Sequence, residues 1–163
     1  MLPLPPARDG QPLPAVAELL KRSGNAEQGR GLFAGIGSCA KCHVVRGEGK
    51  MVGPDLTGIG AKLSREALYE SILAPSAAIS HGYEAWTALT SDGRSLSGLL
   101  VSRSPEQVVI RGSDGLDTTL ETAELEDLVR QPVSLMPADL ASTLSASELT
   151  DIVAWLETLR GGK

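Results

Sequence analysis

The chain has 163 residues, of which 42% are hydrophobic, enough for one soluble core or a small domain carrying an insertion. Fifteen Lys and Arg against twenty Asp and Glu leave a net charge of −5, and only 3% of residues are aromatic. There is thus neither a basic stripe for phosphates nor a stacking platform for bases, which excludes nucleic acid as a partner, and no apolar run reaches transmembrane length.

The first fourteen residues, from Met1 to Pro14, hold five prolines and read as an extended, linker-like lead. They have no basic leader and no uninterrupted apolar core, so they do not form a secretory signal. Residues 15–22 predict a short helix with Val16, Leu19 and Leu20 on one face, which makes 1–24 a proline-rich linker with a short helix. Asn25, followed by Gln28, predicts an N-cap with its reciprocal partner for a helix over 25–34, on which Gly29 and Phe33 share a face. Residues 46–60 are glycine-rich loop. Ser64 caps the next helix, with Leu68, Ile72 and Leu73 apolar, and Pro75 stops it.

Between Tyr83 and Leu120 the character changes to short runs rich in Val, Ile, Leu and Thr. Asp92-Gly93 and Asp114-Gly115 separate them and predict two-residue hairpin turns with positive φ at both positions. Strands are expected at 83–90, 95–102, 106–111 and 116–121, as two hairpins, with 123–130 as a helical turn. Ser145 and Glu148 then form a capping box. It opens a final helix whose Leu149, Ile152, Val153, Leu156 and Leu159 keep a 3.6-residue stripe.

The chemistry is concentrated in Cys39-Ala-Lys-Cys42-His43, which contains the only two cysteines. C-x-x-C-H is the spacing of c-type haem attachment: two thiols add across two porphyrin vinyl groups, and the adjacent imidazole reaches the iron. A zinc site would recruit Cys39, Cys42, His43 and His81, but it lacks the second well-separated ligand pair that structural zinc uses. A thioredoxin-like dithiol would sit at a strand-to-helix junction, whereas helix and glycine-containing loop precede Cys39. One covalent haem c with its iron is therefore the expected cofactor.

His43 alone would leave the iron five-coordinate, and a methionine partner raises the potential of an electron carrier. Met1 is terminal, and Met51 follows His43 by only eight residues. Met136, in Ser134-Leu-Met-Pro137, is far along the chain, carries a soft thioether and is followed by a stiffening proline. Met136 is the expected second iron ligand and His81 its rival. No nucleophile–base pair is discernible, so no catalytic residue is expected.

With these motifs in place, the sequence resembles a class I cytochrome c. The likeness rests on Gly29-x-x-x-Phe33, Cys39-x-x-Cys42-His43, Gly53-Pro54-Asp55-Leu56, Ser-Leu-Met136-Pro and the closing Trp155-Leu156 helix. More narrowly, it is similar to the haem-binding domain of planctomycete- and verrucomicrobium-type exported proteins. That likeness adds Ile72-Leu-Ala-Pro75-Ser, Gly82-Tyr-Glu84 and Asp92-Gly93. The resemblance implies a mainly α cytochrome c fold over 25–163, with a small antiparallel β-sheet of two hairpins inserted at about 83–130, before the axial Met. It implies that Gly29 meets Trp155 where the first and last helices cross. It also implies that the Pro54 carbonyl accepts the His43 N–H, and that Leu56 and Ile59 line the ring. The function expected is a periplasmic or otherwise exported one-electron carrier rather than an enzyme, either free or as a domain or subunit of a larger dehydrogenase. Its partner is a redox protein or a fused dehydrogenase-like domain, and the export signal lies outside this chain. The rival class is a haem sensor or small-ligand-binding enzyme domain with a labile sixth ligand.

Overall fold

The computed structural model describes residues 6–161; Met1 and the first prolines of the lead lie outside them. Among these described residues five α-helices build one core: α1 (Val16–Leu19), α2 (Ala26–Ala34), α3 (Ile59–Lys62), α4 (Arg65–Leu73) and α5 (Ala146–Thr158). Each longer helix starts where a side chain satisfies its free backbone N–H groups. Asn25 accepts from Glu27 and Gln28, Ser64 accepts from Ala67, and Ser145 and Glu148 close a reciprocal capping box. The backbone N–H of Asn25 donates not to Gln28 but to the Asp151 carboxylate on α5, at 2.7 Å. That bond satisfies a carboxylate that is almost fully buried and ties the first long helix to the last.

The crossing of α2 and α5 is set by size. A Cβ on Gly29 would fall on the Asp151 carbonyl, so the two backbones touch there. The atoms nearest a Gly29 Cβ are backbone atoms of Asp151 and Ile152 rather than any atom of Trp155. One turn further along both helices Trp155 packs on Phe33, with ring centroids 4.8 Å apart and planes tilted by 58°. The lead is also no free linker, since Ala7, Leu13 and Leu19 are buried and the Arg8 N–H donates to the Leu144 carbonyl at 3.0 Å.

The expectation of a mainly α fold is wrong. Of the described residues 31% are helical and 24% are strand. Five antiparallel strands, β3 (Ala85–Thr90), β4 (Ser95–Arg103), β5 (Gln107–Arg111), β6 (Asp117–Glu121) and β7 (Leu125–Arg130), form one sheet in the order β6-β5-β4-β3-β7. The strand β7 replaces the helical turn expected at 123–130. Leu125 and Leu128 are three apart and mimic a helical face, but a register shift opposite Leu89/Thr90 brings both onto the inner face of the sheet.

Sheet order also dictates shape. Edge strands β6 and β7 are joined only by the 3-10 turn Thr122–Glu124. Four inter-strand steps of about 4.8 Å would put flat-sheet edges about 19 Å apart, whereas the connection reaches at most about 14 Å. The sheet must therefore curl into a partly closed barrel, bent by shifts at Leu89/Thr90 and Leu100/Ser102. Inside it Ala88, Val108, Ile110 and Leu120 make a second core, distinct from the helical one.

The hairpin turns differ from expectation as well. Positive φ occurs at Gly93 and Gly115 but not at Asp92 or Asp114, because each loop is three residues long and closes on a glycine. The two-residue turn with both φ positive is Arg46-Gly47, joining β1 (Val44–Val45) to β2 (Glu48–Gly49) inside the stretch expected to be loop.

Among the described residues one buried side-chain polar atom lacks a hydrogen-bond partner: the hydroxyl of Tyr69, on α4. A buried unpaired hydroxyl is destabilising by about 1–3 kcal/mol. Tyr69→Phe is accordingly expected to leave the thermal midpoint unchanged or raise it. A clear fall would show that the hydroxyl has a partner that matters.

Candidate functional site

The helix α2 ends in a reversal at Gly35 and Gly37, after which Cys39–Lys41 forms a single 3-10 turn. The N–H groups of Cys42 and His43 both donate to the Cys39 carbonyl, at 3.0 and 2.9 Å, so the two thiols and the imidazole project from one tight turn. The two cysteines form no disulfide and both are half-buried. Burial pushes the Cys39 thiol up to about 11, and it also raises Cys42, against the opposing pull of Lys50 and Lys41.

The β1–β2 hairpin turns the chain back across this motif. Lys50 donates to the Ala40 carbonyl at 3.1 Å, and the N–H groups of Val52 and Gly53 both donate to the Cys42 carbonyl, at 3.0 and 2.6 Å. Gly53 then lies flat on the imidazole: a Cβ there would come within 2.6 Å of His43 Cε1. Contact this close places the next carbonyl, that of Pro54, 2.8 Å from His43 Nδ1. The pairing fixes the tautomer, with Nδ1–H donating and Nε2 free to bind a metal. Burial lowers the pKa of His43, and the Pro54 bond offsets part of that, so the neutral imidazole that metals require is the favoured form.

His43 faces a largely apolar open cleft. Of the residues singled out from sequence, Cys42, His43, Pro54, Leu56, Ile59 and Met136 line it. Cys39 is not among the lining residues and packs, partly buried, against the helical core. Met136 arrives from the other end of the chain on a pinned loop. Its N–H donates to Ser134 Oγ at 3.1 Å, and the Ser134 N–H donates to Ser76 Oγ at 3.0 Å, just after α4 ends. Met51 is 63% exposed and does not line the cleft. His81 is fully exposed, beside Glu84. The zinc alternative has no assembled ligand set, for among the described residues no three His, Cys, Asp or Glu side chains are grouped to hold a metal ion.

Other walls were not singled out as such. Leu68 and Ile72 face the cleft from one side of α4, and their i, i+4 spacing was a usable signal. Leu99 of β4 and Ser113 of the β5–β6 loop also line it, so the barrel forms part of the site. Nothing local in the sequence marks those two.

Residues 26–93 match the family model Cytochrome c. No curated protein matches the chain. The cytochrome c match holds the whole Cys39–His43 motif together with Pro54, Leu56 and Ile59, and it ends in the β3–β4 turn, before Met136. It implies a covalently bound haem c with its iron, and it supports a haem-binding electron carrier. The residues present fit that group: a thiol and an imidazole face an apolar cleft, and the imidazole's second nitrogen is already occupied. Among the described residues no helix is long and apolar enough to cross a membrane.

Proposed function

We infer that the chain is an exported one-electron carrier whose haem is anchored by Cys39 and Cys42 and ligated by His43 and Met136. The observation that carries this reading is that His43 and Met136, 93 positions apart, line one apolar cleft, with the outer nitrogen of His43 held by Pro54. The haem supplies one-electron chemistry at its iron. The protein's part is to bind, orient and shield. Leu56, Ile59, Leu68 and Ile72 keep water from the cleft, Pro54 raises the basicity of the imidazole, and the Ser134–Ser76 tie holds the thioether in place.

In this reading residues 25–163 form a single haem-binding unit interrupted by the barrel, of the kind found in planctomycete- and verrucomicrobium-type exported proteins. It serves a separate redox protein or a fused dehydrogenase-like domain. Residues 85–130 hold eight acidic and four basic side chains, and so carry four of the five net negative charges. A partner approaching from the barrel side would need a basic surface.

Optical spectroscopy tests the ligand set. The oxidised protein is expected to show the weak near-infrared sulfur-to-iron band and to bind carbon monoxide slowly when reduced. A five-coordinate spectrum with rapid carbon monoxide binding would replace the carrier by the sensor reading.

A further inference from the structure

The barrel does more than stand beside the cleft. From its strand β5, the Arg111 guanidinium makes a bidentate pair with Asp117 on β6, Nε to Oδ1 at 2.6 Å and Nη2 to Oδ2 at 2.9 Å. Its remaining nitrogen, Nη1, donates to the backbone carbonyl of Met51 at 3.1 Å. Alongside it, Lys50 Nζ donates to the Asp114 carbonyl in the β5–β6 loop, at 3.0 Å. The haem-side loop 50–53 is thus held on both flanks. The cysteine motif grips it through the Ala40 and Cys42 carbonyls, and the barrel grips it through Arg111 and Asp114.

This loop delivers Gly53 and Pro54 to His43, and it has no helix or long strand of its own to stiffen it. The planar fork of Arg111, with two of its three nitrogens fixed on one carboxylate, presents the third in a set direction, which an isolated lysine ammonium does not do. Asp117 loses its proton more readily beside Arg111, which keeps the pair charged.

We propose that Arg111 is a positioning residue: by holding the Met51 carbonyl it keeps Pro54 on the His43 N–H, so that the inserted barrel tunes the iron's potential through the histidine side. The inference rests on His43 being an iron ligand. It does not depend on Met136.

The sign of the effect separates this role from a plain charge effect. A firm N–H···O bond makes the imidazole a stronger donor and favours ferric iron, so loosening it shifts the midpoint potential upward. Deleting a nearby positive charge, by itself, favours the more positive oxidised state and shifts the potential downward. Arg94 provides the control. It lies on the same barrel, is paired with Asp92, and has no bond to the loop.

The test uses the haem-loaded protein and two readouts, the midpoint potential and hydrogen exchange at the Gly53 amide. R111A is expected to show a positive shift in potential and a loss of Gly53 protection, and R94A neither. R111K keeps the charge but loses the fork, so it should shift in the same direction by less. It carries the measurement if R111A does not retain haem. An unchanged or lowered potential in R111A, or an equal shift in R94A, would overturn the proposal. A wild-type protein lacking the sulfur-to-iron band would sink the His/Met reading yet leave this comparison intact, because it acts on the His43 side.

Discussion

Replacing Met136 by alanine is expected to abolish the near-infrared sulfur-to-iron band and to lower the midpoint potential by roughly a few hundred millivolts, out of the ~0.8 V span that axial ligands cover. A thioether is a soft donor that favours ferrous over ferric iron, so losing it lowers the potential. The opened position would then admit carbon monoxide rapidly. The loop should survive the change, because Ser134 and Ser76 hold it by backbone N–H bonds that do not involve the methionine side chain. Met51→Ala and His81→Ala serve as controls. Both side chains are exposed and neither lines the cleft, so their potentials and spectra should match the wild type. Retention of the band in Met136→Ala, with its loss in Met51→Ala, would move the ligand assignment to Met51; a wild-type spectrum of six-coordinate iron without the band, altered only in His81→Ala, would move it to His81.

Local rules made most of the helical part readable. Ser64 and Ser145 begin helices because a hydroxyl acceptor followed by helix formers satisfies orphan N–H groups wherever it occurs. The pairing of His43 with Pro54, implied by the family resemblance, is present at 2.8 Å, because a chain that turns back at Arg46-Gly47 has little freedom over the next seven residues.

What escaped was long-range. The partner of the Asn25 N–H is Asp151, 126 residues away, and no spacing rule points there from the sequence around Asn25. The strand β7 was missed for a related reason. Leu125-Glu-Asp-Leu128 carries a helical spacing, and only pairing with β3 across a register shift makes it a strand. With β7 in place, the two expected hairpins become a curled barrel, and the barrel then supplies Leu99 and Ser113 to the cleft. The Asp-Gly turns were found at the right positions with the wrong geometry, since one additional residue in each loop leaves only the glycine in the left-handed region.

Gly29→Ala and Gly31→Ala are expected to change stability in opposite directions, although they make the same substitution two residues apart on one helix. At Gly29 the added methyl would fall on the Asp151 carbonyl oxygen and reach to 3.0 Å from the Ile152 nitrogen. These are backbone atoms of α5 and cannot rotate away, so the helices must separate. That overpacking costs about 3 kcal/mol. Separation also breaks the charge-assisted bond from Asn25 to the buried Asp151, about 2 kcal/mol more. The better helix propensity of alanine returns about 1 kcal/mol, leaving a net loss of about 4 kcal/mol. For a chain of this size that is a fall in Tm of roughly 8–16 °C. At Gly31 a Cβ would meet nothing within 4 Å, so only the propensity gain remains and Tm should rise by roughly 2–4 °C. Thermal unfolding of the two haem-loaded variants decides the matter. If both move the same way, close packing of α2 on α5 at Gly29 is not what sets the crossing. If they split, the glycine is there for the approach of two backbones, and the Phe33–Trp155 contact one turn away is a consequence of that approach.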